Sequence, residues 1–243
     1  MRLDKYLADC GAGTRKEGKA AIRGGRVQVD GVVVTDPAAK ISEESAHVTL
    51  DGRPLLYEPF VYLMLNKPKG CVSATDDARY QTVLDFVPDA YAHRNLFPAG
   101  RLDLDTEGFV LLTDDGAFAH EILSPKKHVP KRYYVEVDGQ LDASDIEAFA
   151  QGIFIDGGYQ TMPASLTILN AKNAAEVVIR EGKYHQIKQM FQKRGKPVRY
   201  LKRLSIGALT LDPALLPGEI KKLTKEEINC INGGLHGHFK DTE

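Results

Sequence analysis

The sequence predicts an α+β fold, in which a small helix-helix-hairpin module precedes a larger domain built on a mixed or antiparallel sheet. Two observations carry this. Between Met1 and Val34, two short stretches of helical spacing run into an Asp-Gly hairpin. Beyond Phe60, apolar runs of strand length are broken by few, irregularly placed helical stretches, which argues against regular βαβ winding. At 243 residues the chain can bury one medium and one small core.

The elements follow in order. Leu3, Leu7 and Ala8 recur at helical spacing until Gly11-Ala-Gly13 stops them. Thr14-Arg-Lys-Glu17 is a capping box that opens a second helix through Ala20, Ala21 and Ile22, ended by Gly24-Gly25. Val27 to Val34 reads as two strands around Asp30-Gly31. The module spans residues 1–57, with Leu55 to Pro59 as linker. A second domain over 61–231 opens with a strand at Val61 to Leu65, and further strands are expected at Phe109 to Thr113 and Lys131 to Val137. Asp142 caps a helix over Ala143 to Gln151, and Gly152 follows its end. Strands at Ala164 to Leu169 and Ala175 to Ile179 lead to a helix over Ile187 to Arg194, stopped by Gly195 and Pro197. Arg199 to Ile206 and Ala208 to Leu211 read as closing strands, and Thr224 caps a last helix to Ile231. Residues 232–243 have no apolar period and read as a disordered tail.

Net charge is −1, so no global field favours nucleic acid, but the charge is unevenly placed. From Arg180 to Arg203 nine Lys/Arg face one acid, Glu181. The first 26 residues hold seven Lys/Arg against three acids. Local basic faces on a near-neutral chain suit a reader of folded RNA. Cys10, Cys71 and Cys230 are odd in number and lack metal spacing, which predicts reduced thiols in a cytoplasmic protein. Phe60 to Leu65, the longest uncharged apolar run, is too short to cross a bilayer, and no membrane association is expected.

Gly100-Arg-Leu-Asp-Leu-Asp-Thr-Glu-Gly108 places Arg101 and Asp103 in a short Gly-bounded segment ahead of an apolar strand. A carboxylate on a tight loop at a strand mouth is held firmly yet open to substrate, which suits a nucleophile or base. The same acids imitate a calcium loop from Asp103 to Asp114. That reading fails because Pro98 precedes the loop, Leu111 stands where a polar ligand is wanted, and a strand follows in place of a helix.

The segment Gly100 to Gly108 resembles the signature of the pseudouridine synthases of the RsuA/RluB branch. Asn66-Lys-Pro-Lys-Gly70, Lys131-Arg-Tyr-Tyr-Val135 and Glu181-Gly-Lys-Tyr-His-Gln-Ile-Lys-Gln-Met190 resemble three further blocks of that family, in the family's order. The helix-helix-hairpin module resembles the S4 RNA-binding domain, whose RNA face implies roles for Arg15, Lys16, Lys19 and Arg23. The resemblance implies isomerisation of uridine in RNA, a reaction that needs neither a metal nor an organic cofactor. It makes Asp103 the catalytic aspartate and leaves open attack at C1′, attack at C6 or removal of a proton from C2′. It makes Lys188 the cation that keeps Asp103 ionised, Tyr133 the ring that stacks on the target base, and Arg101 the residue that fills the space left by the flipped uridine. Lys183, His185, Gln186, Asn66 and Lys67 are expected at the substrate or RNA surface.

Leu104, Asp114-Asp115 and Asp76-Asp77 favour the small-subunit member of the branch. The implied target is then uridine 516 of 16S ribosomal RNA, free or within an assembling subunit, and the enzyme a monomer. The alternatives are a large-subunit 23S enzyme of the same branch and a non-catalytic S4 factor in ribosome assembly. The reactive set Asp103, Lys188 and Tyr133 argues against the last.

Overall fold

The computed structural model describes residues 1–124 and 127–231, so the expected tail lies outside the described residues. The chain forms two compact units: Met1–Val61 with Val87–Asn95, and Tyr62–Phe86 with Leu96 onward.

In the first unit, helices α1 (Leu3–Asp9) and α2 (Arg15–Arg23) precede strands β1 (Val27–Val29), β2 (Val32–Val33), β3 (Val48–Leu50) and β4 (Arg53–Leu55). The strands form one antiparallel sheet in the order β2-β1-β3-β4. Thr14 closes the expected capping box: its Oγ1 accepts from Glu17 N at 3.3 Å, and Glu17 Oε2 accepts from Thr14 N at 2.7 Å. Asp30 and Gly31 both take positive φ (51° and 80°), as a two-residue hairpin of right-handed twist requires. Asp51-Gly52 repeats the device between β3 and β4, with φ of 50° and 78°. That second hairpin carried the same dipeptide and was missed, and its edge strand tolerates Pro54. Leu3, Tyr6, Leu7, Ala21, Ile22, Val27 and Val48 form this unit's core. Arg94 ties the returning segment down by donating to the carbonyls of Asp9, Glu58 and Pro59.

The second unit carries β5 (Tyr62–Lys67), β6 (Phe97–Pro98), β7 (Glu107–Thr113), α3 (Gly116–Leu123), β8 (Lys131–Val137) and α4 (Ala143–Gln151). There follow β9 (Phe154–Ile155), β10 (Tyr159–Gln160), β11 (Ser165–Ile168), β12 (Ala174–Ile179), α5 (Gln186–Lys193), β13 (Val198–Ile206), β14 (Leu209–Thr210), β15 (Ile220–Lys222) and α6 (Lys225–Ile231). The main sheet runs β11-β12-β8-β13-β7-β5-β15, with β6 paired to β7 and β14 to β13. Every pairing is antiparallel except β13 with β7, so the predicted α+β class with a mixed sheet is what the chain adopts.

One core gathers Tyr62, Met64, Phe109, Leu111 and Ile206 against Ala119 and Ile122 of α3 and Ile228 and Ile231 of α6. Phe149 of α4 and Phe191 of α5 pack 4.7 Å apart, both fully buried. Burying such a side chain stabilises by about 1.5–3 kcal/mol.

Helix α3 and strand β15 are among the elements of this unit that the sequence did not predict. Helix α3 is capped by Asp115, whose Oδ1 accepts from Phe118 N at 2.9 Å, and its Asp-Gly start resembles a turn. Strand β15 lies in a polar segment and is ordered by pairing with β5. Strand β5 also runs past the expected Leu65 to Lys67, because Asn66 and Lys67 pair with Phe109 and Gly108.

Candidate active site

The loop between β6 and β7 is held from below. Gly100 and Gly108 take φ of 96° and 100°. A Cβ on Gly108 would lie 2.3 Å from Arg203 O, so only glycine lets β7 run alongside β13 here. Between them Leu102 and Thr106 are buried. Ser73 Oγ accepts from Leu102 N at 3.0 Å and donates to Leu102 O at 3.1 Å. Gly70 N donates to Leu104 O at 2.8 Å. The buried Lys67 ammonium donates to Thr106 O at 2.8 Å and to Pro68 O at 3.1 Å. Desolvation lowers the pKa of Lys67 below the usual lysine value. With its neighbours tied to backbone on both sides, Asp103 is presented rigidly to the cleft.

Lys188, on the first turn of α5, reaches Asp103 Oδ2 at 2.8 Å and Asp105 Oδ1 at 2.6 Å. Burial alone would lower the lysine's pKa; the hydrogen bonds to the two aspartates outweigh it and raise the value. Desolvation would raise the Asp105 pKa, and the Lys188 hydrogen bond reverses this and lowers it. His185 Nε2 lies 3.4 Å from Asp103 Oδ1. His185 has a left-handed backbone (φ 49°) immediately before α5, and its ring stacks on the exposed Tyr184 at 3.8 Å.

A cleft of about 730 Å³ opens on this node, lined among others by Asp103, Tyr133, Arg101, Lys183 and His185. That volume suits a nucleotide-sized ligand. Tyr133 is 7% exposed and lines the cleft, whereas Tyr134 turns to the other side of β8, donating to Glu136 at 2.7 Å and packing edge-on against Tyr200. Arg101 is exposed at the cleft. Asp105, two residues past Asp103 on the same loop, is paired with Lys188. Lys183 Nζ sits 4.3 Å over the Tyr159 ring.

Three residues expected at the substrate or RNA surface are buried and bonded to neighbouring groups of the protein. Gln186 is 4% exposed, donating to Glu181 at 3.0 Å and accepting from Lys183 N at 3.0 Å, so it shapes the turn into α5. Asn66 is 2% exposed and donates to Leu215 O at 2.8 Å. Lys67 is fully buried under the loop. In each case a motif position was polar because the backbone around it needed a partner. Sequence reasoning also missed Ser73, and Glu181 as an acceptor for Met162 N, Tyr159 and Gln186. No local pattern marks Ser73, whereas Glu181 opens the family-like block that ends at Met190.

On α2, Arg15, Lys16 and Arg23 are exposed, while Lys19 is half-buried with its Nζ 3.7 Å from Asp4.

A carboxylate on a braced loop, paired with a lysine, shares a nucleotide-sized cleft with a buried tyrosine. Residues 61–193 match the RNA pseudouridylate synthase family, and residues 1–48 match the S4 domain. The chain is 49% identical to an uncharacterized RNA pseudouridine synthase of Bacillus subtilis, covering 96% of this chain and 98% of that protein. It is 43% identical to ribosomal small subunit pseudouridine synthase A of Escherichia coli, over 95% of this chain and all of the relative. A crystal structure of a pseudouridylate synthase aligns with a TM-score of 0.68 at 40% identity, covering 95% of this chain and 99% of that one. The chain belongs to the RNA pseudouridine synthase family and is an isomerase.

Proposed function

We propose that the protein converts one uridine of 16S ribosomal RNA to pseudouridine, with Asp103 as the catalytic carboxylate. The observation that carries the reading is the Asp103–Lys188 pair, 2.8 Å apart in the cleft that Tyr133 lines. The similarity to small subunit pseudouridine synthase A across nearly the whole chain supports the small-subunit target. Uridine 516 is the expected site, and the enzyme acts as a cytoplasmic monomer.

The target uridine is unstacked and turned into the cleft, where it stacks on Tyr133. Arg101, exposed on the loop beside Asp103, takes the space it leaves. Lys188, 2.8 Å from Asp103 Oδ2, supplies the opposite charge beside the catalytic carboxylate. Asp103 then acts on the ribose or the base, the N1–C1′ bond opens, and the uracil rejoins through C5. Lys183, Tyr184 and His185 stand at the mouth of the cleft and grip flanking RNA, while Arg15, Lys16 and Arg23 of α2 contact phosphates.

The test is a map of pseudouridine in ribosomal RNA from cells with and without this gene. Loss of one small-subunit site is expected. Loss of a large-subunit site would move the target to 23S RNA, and no loss would refute the reading.

A further inference from the structure

Two cations face the cleft from the sheet without a carboxylate partner among the described residues. Lys131 is 9% exposed, and its ammonium donates to Val129 O at 2.9 Å. Arg203 is 3% exposed; its Nε donates to Phe109 O at 2.6 Å, and its Nη2 is buried without a hydrogen-bond partner. Both residues line the cleft that contains Asp103 and Tyr133. Burying one unpaired charge is unfavourable, and burying two of like sign is more so. An arrangement of this kind favours a negative charge brought in by a ligand.

The ladder places both beside Tyr133. Lys131 is two residues along β8 and so lies on the same face, roughly 7 Å away at the usual strand rise. Arg203 is the cross-strand partner of Tyr133, at about 5 Å between Cβ atoms in such a pair. Their depth bears on which anion can arrive, because a backbone phosphate stays with the chain at the mouth and the flipped base goes in. When the N1–C1′ bond breaks, its electron pair remains on the uracil, and the ring spreads that charge over O2 and O4. The pair is returned when C5 attacks C1′; the C5 proton is then lost and N1, freed by the cleavage, takes one up, so the product is an isomer of the uridine.

We propose that Lys131 and Arg203 form an electrostatic site for the detached uracil anion, with Lys131 contacting a carbonyl oxygen of the base and Arg203 acting through its field. The inference rests on the reading of the cleft as the base site and adds a role for residues outside the Asp103–Lys188 pair.

The first test titrates wild-type protein with barbiturate, an anionic pyrimidine at neutral pH, and with neutral uracil. Barbiturate is expected to bind at least about tenfold tighter, and Lys131→Met to lose that preference. The second compares Lys131→Met with wild type in single-turnover isomerisation. A fall on the order of 10²–10³ is expected, the range for removing one preorganised donor from a charge-stabilising site. Affinity for the same RNA with an abasic target nucleotide should be unchanged. Equal binding of uracil and barbiturate by wild type, a turnover within threefold of wild type, or an equal loss of affinity for abasic RNA would each overturn the proposal, the last by placing Lys131 on a phosphate. Should Lys131→Met not fold, Lys131→Gln takes its place, and the wild-type titration decides on its own. Failure of the underlying reading has a separate signature, which is retention of activity by Asp103→Asn.

Discussion

Lys188 Nζ lies 2.8 Å from Asp103 Oδ2, an ion pair that joins the first turn of α5 to the loop entering β7. The lysine is shared, because Asp105 takes its other side at 2.6 Å. Two carboxylates on one ammonium are arranged unequally: the Asp103 side chain is 28% exposed and lines the cleft, and that of Asp105 is 57% exposed. One carboxylate therefore faces the cleft while the other holds the lysine in place.

Asp103→Asn is expected to abolish isomerisation and leave RNA affinity nearly unchanged. The carboxamide keeps the shape and removes the charge and the nucleophile. Pseudouridine formation in a single turnover and a binding isotherm check this together, and turnover near wild type would remove Asp103 from the mechanism.

Lys188→Met and Lys183→Met are expected to diverge, although both lie in the same basic block. Lys188→Met should depress turnover by on the order of 100-fold or more with little loss of affinity, since it leaves Asp103 unpaired in the cleft. Lys183, over the Tyr159 ring at the mouth, should mainly weaken binding and lower the salt slope by roughly one unit or less. The measurement is rate and affinity at two salt concentrations, and matching losses would place both lysines on the backbone.

The sequence was most legible where structure is local. Asp142 and Gly152 bound α4 as their capping preferences dictate, and Thr14 with Glu17 starts α2. The pairing of Asp103 with Lys188 came from the resemblance of whole blocks, because no spacing rule joins positions so far apart. The blocks did not reveal which polar members face inward. Asn66, Lys67 and Gln186 were expected at the RNA surface and are buried, bonded to neighbouring groups of the protein. Lys131 and Arg203 lay inside basic or family-like segments, yet their burial depends on β8 and β13 meeting in one register, which only the assembled sheet supplies.

Exchanging Arg15, Lys16 and Arg23 of α2 for alanine should weaken binding to structured RNA and lower the log–log salt slope by roughly one unit for each phosphate that no longer meets a cation. All three side chains point to solvent, so stability should change little. An unchanged slope would mean that this helix does not touch the phosphate backbone.

Gly108→Ala should be strongly destabilising, by more than the roughly 1 kcal/mol typical of a point mutation. Its φ of 100° disfavours any side chain, and the added methyl would meet the backbone of Arg203 at 2.3 Å. Thermal unfolding measures this, and a midpoint equal to wild type would mean that β7 and β13 can separate without loss.

Lys131 gives a pH dependence whose sign is fixed. Desolvation, reinforced by the nearby Arg203, lowers its pKa from 10.5 to about 8. The unfolded chain holds the proton more tightly between those values, so stability rises with pH across that window and this lysine destabilises the fold below it. Lys131→Met should therefore be the more stable protein at neutral pH, by an amount on the order of 3 kcal/mol from the size of the shift. The advantage should shrink as pH rises from about 8 towards 10.5. Denaturant unfolding of both proteins at neutral pH and near pH 10 tests this. A neutral-pH difference of zero, or one that grows with pH, would show that the ammonium is not held against its own desolvation.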